Sequence, residues 1–211
     1  MVGRTGRRPG DSAQTRQAIL DAAMQAFAEG GFGKTSIRKI AGVAGVDPAL
    51  VHHYFGTKDK LFMAALDVPF DPTEVLPRVV AGGRDEVGER LVGTFLALWD
   101  SPRGNAAAAV LRSAVAHPWI ARLMEEFVLA RIVLPAFTEI GVHDKRDREQ
   151  RATLVVSQIL GLALTRYVLR FEPLASTPRT EVIAAVGPTI QRYMTGDIGG
   201  GAPQMSAGSR T

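Results

Sequence analysis

The sequence predicts an all-α fold. Between residues 12 and 195 apolar side chains return at three- and four-residue intervals, as one face of a helix requires. No convincing alternating strand and no Asn-Gly or Asp-Gly hairpin signal interrupts them, and Gly and Pro clusters cut the pattern at helix-length intervals. With 211 residues, 46% of them apolar and 22% charged, and a mean hydropathy of +0.06, the chain is a globular one able to bury a sizeable core.

Residues 1–12 mix Gly, Arg, Pro and Thr without periodicity, and 196–211 are rich in Gly; both read as disordered ends, the first a basic arm. The first helix runs from about Ser12 to Glu29, carries Ile19, Leu20, Ala23, Met24 and Phe27 on one face, and stops at Gly30-Gly31. Thr35 or Ser36 caps a short second helix through Ala44, with Ile37, Ile40 and Ala41 inward and Arg38 and Lys39 outward. Gly45 turns the chain, and Asp47-Pro48 supplies an N-cap and a proline at the first helical position for a third helix of two turns. Thr57 caps a fourth from Lys58 to about Asp67, which Val68-Pro69 and Asp71-Pro72 terminate. That cluster divides an N-terminal module, 13–68, from a body, 69–195. The body holds helices at roughly 73–81, 84–99, 105–116, 118–140, 145–171 and 179–194, the fourth kinked by Pro135.

Several chemistries are excluded. The absence of cysteine removes disulfides, thiolate metal sites and a cysteine nucleophile, and fits a reducing cytoplasm. The longest uncharged stretch, between Arg151 and Arg166, is too short to span a bilayer, and the basic N-terminus lacks the apolar run of a secretory signal. Ala28 to Thr35 ends in Gly-Lys-Thr like a phosphate loop, but alanine replaces its first glycine and a helix rather than a strand precedes it; Gly83 to Gly88 continues into Glu89. Adjacent His52 and His53 diverge by about 100° on a helix and cannot share a metal. Neither a catalytic set nor a cofactor motif is visible, so no enzyme, cofactor or metal is expected.

Charge points elsewhere. Residues 1–61 carry nine Lys/Arg against five acids, whereas the remaining 150 residues are neutral. A basic front end on a neutral body suits an anionic polymer as its partner. Residues 35–62 read as a helix-turn-helix, whose second helix fits a DNA major groove ~12 Å wide. On that helix Val46, Leu50 or Val51, and Phe55 face inward, leaving Asp47, Pro48, Ala49, His52, His53 and Tyr54 for the groove and its walls.

The span from Thr15 to Phe62 resembles the tetracycline-repressor (TetR/AcrR) family. It supplies that family's Ile19-Leu20-Asp21-Ala22-Ala23, Phe27, Gly31-Phe32, Thr35-Ser36-Ile37, Ile40-Ala41, Ala44-Gly45-Val46, His53-Tyr54-Phe55 and Thr57-Lys58-Asp59-Lys60-Leu61-Phe62. The resemblance implies that Arg38 contacts a base edge or phosphate, that Lys58 anchors a phosphate, that Thr35 and Tyr54 touch the DNA backbone, and that Asp47, Pro48, Ala49, Leu50 and His53 face the groove. The pattern departs at His52, where tyrosine is usual, and at Leu50, where a small hydroxyl residue is usual. Leu50 either touches a thymine methyl or packs inward.

The body is expected to sense a ligand and to dimerise, as the resemblance implies. Residues 152–171 are apolar around the whole helix and must be covered on more than one side. Ser157 and Gly161 permit a close approach there, and with Leu164, Val168, Val182, Val186 and Ile190 they form the expected two-fold interface. Phe95, Trp99, Leu111, Leu123, Phe127, Ile132 and Phe137 are candidates for an aromatic-rich pocket, with Arg112, His117, Arg131, Gln158 and Arg166 as its polar groups. Together these observations describe a cytoplasmic, homodimeric regulator, most simply a repressor, that binds double-stranded DNA at a palindromic operator and is released by a small molecule. The competing reading is an all-α small-molecule carrier or enzyme with an incidental helix-turn-helix.

Overall fold

The structure is a computed structural model that describes residues 9–199, and the described residues are helical with no strand. Eleven helices follow one another: α1 Pro9–Lys34, α2 Ile37–Ala44, α3 Pro48–Phe55, α4 Lys58–Ala65, α5 Pro72–Val80, α6 Val87–Trp99, α7 Gly104–Ala116, α8 Pro118–Val128, α9 Leu134–Glu139, α10 Lys145–Ala163 and α11 Arg179–Thr195. Of the expected disordered ends, residues 1–8 and 200–211 lie outside the described residues, while Pro9 to Ser12 already belong to α1. No helix among the described residues is long and apolar enough to cross a membrane.

Local chemistry accounts for most boundaries. Gly31 breaks α1 with a φ of 75°, in the left-handed region that favours glycine. Ser36, rather than Thr35, caps α2 by accepting from the Lys39 amide. Gly45, at φ 66°, closes α2 with its own N–H on the Gly42 carbonyl and the Val46 N–H on the Ala41 carbonyl, the paired bonds of a Schellman turn. The long helix expected over 118–140 is interrupted by one π-helical turn, Leu129–Val133, between α8 and α9. Pro135 brings no N–H to the helix and stands in the first turn of α9, directly after the widened turn. A second π-helical turn, Leu164–Val168, extends α10.

Two apolar cores form. The first gathers α1 to α4 and recruits Leu123 and Phe127 from α8, so the body reaches into the N-terminal module. At its centre Phe32, Phe62 and Phe127 meet with ring centroids 4.6 to 5.2 Å apart. The second core joins α5, α6, α9, α10 and α11. Its tightest crossing is between α6 and α11: a Cβ on Gly88 would overlap the Gln191 amide nitrogen and the Gly187 carbonyl. The Gly88 N–H donates to the Gln191 side-chain oxygen at 2.8 Å, which fixes the crossing.

This packing corrects part of the expected dimer interface. Val182 and Ile190 are 2% and 0% exposed inside the protomer, and Val186 packs on the same core. Helical periodicity marks an apolar face but not the chain that covers it. Gly161 is exposed, and a Cβ there meets nothing within 4 Å, so the close helix approach within the chain lies at Gly88 and Gly187. Ser157 is exposed and Leu164 and Val168 half-buried, beside the exposed Leu160, Leu169 and Phe171.

Candidate nucleic-acid interface

The site is built outward from α3. Asp47 is the N-cap of this helix, its carboxylate accepting the Ala49 amide at 2.7 Å, and Pro48 takes the first turn, where no N–H is needed. Val51 and Phe55 are buried and pin the helix to the first core. Leu50, half-buried, is absent from that core, which settles the sequence alternative: Val51 faces inward and Leu50 outward. Gly45, Val46, Asp47, Ala49, Leu50 and His53 line an open concavity of about 570 Å³. On the preceding helix Arg38 is exposed and makes no ion pair or hydrogen bond among the described residues.

The other expected contacts fare differently. His53 is exposed, with its ring edge-on to Tyr54 at 5.5 Å. His52 is exposed too, but its Nδ1 donates to the Gly56 carbonyl at 2.8 Å, so that nitrogen is engaged at the end of its own helix. The Tyr54 hydroxyl lies 3.0 Å from the Ser12 hydroxyl and ties α3 to α1.

Thr35 and Lys58 correct the sequence reading. Thr35 is 2% exposed, and its hydroxyl hydrogen lies between the carbonyls of Ala26 at 2.9 Å and Gly31 at 2.8 Å. Its side chain staples the broken end of α1 and presents nothing to a partner. The Lys58 ammonium turns inward, donating to the carbonyls of Phe32 at 2.8 Å and Thr35 at 3.1 Å, 4.4 Å from the Phe32 ring centroid. Burial, then repulsion by Arg131, hold its pKa below the ordinary lysine value, against the opposing pull of Asp59. Lys58 therefore acts as a cationic clamp on orphan carbonyls after α1.

The structure disperses the expected ligand-pocket residues. Phe127 sits in the first core, and Arg131 pairs with Asp59 of α4. Arg112, His117 and Gln158 are exposed, His117 with its Nδ1 3.1 Å from the Ser113 carbonyl. Phe95 and Trp99 do come together, 5.5 Å apart, and Tyr167 stacks on Trp99 at 5.0 Å. Beside them Arg166 is 8% exposed, donates to the Leu174 carbonyl, and leaves its Nε without a hydrogen-bond partner among the described residues. Residues that sequence reasoning missed cluster where the two cores touch. The Glu126 carboxylate accepts the Phe32 amide at 2.8 Å and lies 3.4 Å from that of Gly33, holding the break in α1 from α8. No local signal connects residues so far apart in sequence. No group of three or more His, Asp or Glu that could hold a metal occurs among the described residues.

Comparison with known proteins agrees with this geometry. Residues 19–65 match the bacterial regulatory proteins of the tetR family, and residues 85–194 match the tetracyclin repressor-like C-terminal domain. A TetR-family regulator from Streptomyces coelicolor A3 is 36% identical, with 90% of this chain and 99% of that one covered, at a TM-score of 0.43. The HTH-type transcriptional regulator BetI is 45% identical over 51 residues in Brucella anthropi and 43% in Rhizobium meliloti. Each match covers 24% of this chain and about a quarter of the curated relative, 26% and 25% respectively. With both family domains accounting for most of its length and a helix-turn-helix presented by α2 and α3, the chain belongs to the TetR family of transcriptional regulators.

Proposed function

We propose that the protein is a repressor that binds a palindromic operator as a homodimer and is released by a small molecule. The observation that carries the reading is the outer face of α3: Ala49, Leu50 and His53 stand clear of the core behind an N-capped, proline-started helix, with Arg38, unpaired among the described residues, on the helix before it. A helix of two turns held this way fits a major groove, and Arg38, unpaired among the described residues, is a cation placed to meet a base edge or phosphate. Dimerisation is supported by the exposed small and apolar residues Ser157, Leu160, Gly161, Leu169 and Phe171 at the end of α10 and just beyond it. The effector is an amphipathic molecule that seats against Phe95, Trp99 and Tyr167 and offers an acceptor to Arg166, whose buried Nε lacks one. The protein acts in the cytoplasm and has no catalytic role.

The test is selection of duplexes from a random pool, followed by titration of wild type and Arg38→Ala. Selected sites should be two-fold symmetric, with half-site centres ~34–36 Å apart or slightly more. Arg38→Ala should lose ~1–3 kcal/mol on the selected site. If no sequence is enriched over the pool, the reading fails.

A further inference from the structure

We propose that the protein reads its DNA half-site through the 5-methyl group of thymine, with Leu50 as the residue that determines specificity. The inference rests on α3 entering the major groove. Leu50 projects an isobutyl group from the outer face of α3 and contributes nothing to the first core, where Val51 and Phe55 hold the helix. It lines the same concavity as Val46 and Ala49, so the middle of the reading face is apolar.

The polar groups around it have little to offer a base edge. The Asp47 carboxylate can only accept, and one of its oxygens already takes the Ala49 amide. Pro48 has no N–H to give. His52 lies off this lining, with its Nδ1 bound to the Gly56 carbonyl and only its Nε2 left to offer, and on the lining itself His53 is the polar side chain with no hydrogen bond among the described residues.

Thymine is the one base that presents an apolar group in the major groove. Against Leu50 an adenine or cytosine amino group, or the acceptors of guanine, would lose water and gain no partner, which costs free energy. The thymine methyl loses only its apolar hydration and gains the isobutyl contact. Removing one methyl-sized group from water corresponds to about fourfold in affinity, so a symmetric site read at both halves should gain about fifteenfold.

The experiment uses the full chain and the duplex recovered by selection. Each thymine of the half-site is replaced in turn, symmetrically, by deoxyuridine, which lacks only the methyl. One position should weaken wild-type binding about fifteenfold, and in Leu50→Ala the loss at that position should shrink to less than twofold. A second selection with Leu50→Gln, which brings a donor and an acceptor of similar length, should return a different base there. The proposal is overturned if no thymine-to-deoxyuridine change costs wild type more than twofold, if the cost is the same in Leu50→Ala, or if the selected half-sites contain no thymine. In each of those cases groove binding by α3 still stands, whereas failure to enrich any duplex removes both readings. If Leu50→Ala folds poorly, the deoxyuridine scan of wild type still tests methyl reading, and the Leu50→Gln selection assigns it to residue 50 or, by returning the same base, overturns that assignment.

Discussion

The guanidinium of Arg131 donates one hydrogen bond to the carboxylate of Asp59, Nη2 to Oδ1 at 3.1 Å, while its Nε lies 2.8 Å from Oδ2 in an ion-pair contact that lacks hydrogen-bond alignment. One partner lies on α4, directly after the recognition helix, and the other on the π-helical turn of the body. Both side chains are a third or more exposed, so solvent screens the pair and its coupling should be about 0.5–1 kcal/mol. A double-mutant cycle of Asp59→Asn and Arg131→Gln in denaturant unfolding measures it. Coupling should fall in molar salt; indistinguishable additivity at low salt would show that the pair is idle.

Lys58→Met separates a clamp from a phosphate anchor. The variant keeps the aliphatic stem over Phe32 but leaves the carbonyls of Phe32 and Thr35 without their donor. Stability should drop by about 1 kcal/mol, less than for a fully buried acceptor because water can reach these half-buried carbonyls. The slope of log affinity against log salt should stay as in wild type, whereas losing a phosphate contact would reduce it by about one unit.

Gly88→Ala and Gly161→Ala should behave oppositely. A methyl on Gly88 strikes the α11 backbone, and forcing the α6–α11 crossing apart should cost ~1–3 kcal/mol. At Gly161 the methyl finds open space within the protomer, so folding should be unaffected or slightly improved. Thermal unfolding compares the two. In the proposed dimer the bulkier Gly161→Leu should weaken self-association, read by sedimentation, without altering the fold.

Tyr167 should titrate late. Burial first, and then its hydrogen bond to Asp100, push the phenol up to about 12 from its ordinary value of 10.0. A folded-state pKa raised in this way contributes stability that is complete below pH 10 and lost as pH rises through about 12. Absorbance titration should therefore show a phenolate component near pH 12 that disappears in Tyr167→Phe. If the component lost in Tyr167→Phe instead titrates near pH 10, burial and the Asp100 contact do not hold the phenol up in solution.

Local chemistry was legible, and long-range choice was not. Gly45 and Asp47-Pro48 announce the turn and the start of α3 because left-handed backbone and N-capping are properties of a few neighbouring residues. The family resemblance assigns Lys58 and Thr35 to DNA, but the carbonyls of the α1 end, which no local pattern brings near them, engage both side chains in space. Val182 and Ile190 show the limit again: periodicity marks them as an apolar face, but they are buried in the second core of the same chain. The Glu126 contact to Phe32 joins residues 94 apart, a distance over which no spacing rule operates.

The single π-helical turn at Leu129–Val133 sets an angular phase. Ten residues separate Phe127 from Phe137, which on an uninterrupted α-helix would leave them roughly 80° apart. The widened turn takes up about one residue without advancing the winding, so the two rings point roughly 180° apart. That is the geometry their burial requires, Phe127 in the first core and Phe137 in the second. Deleting one residue from this turn would leave nine α-helical steps and the same 180° phase, whereas inserting one would turn one apolar face by about 100°, so this stretch should tolerate a one-residue deletion far better than an insertion.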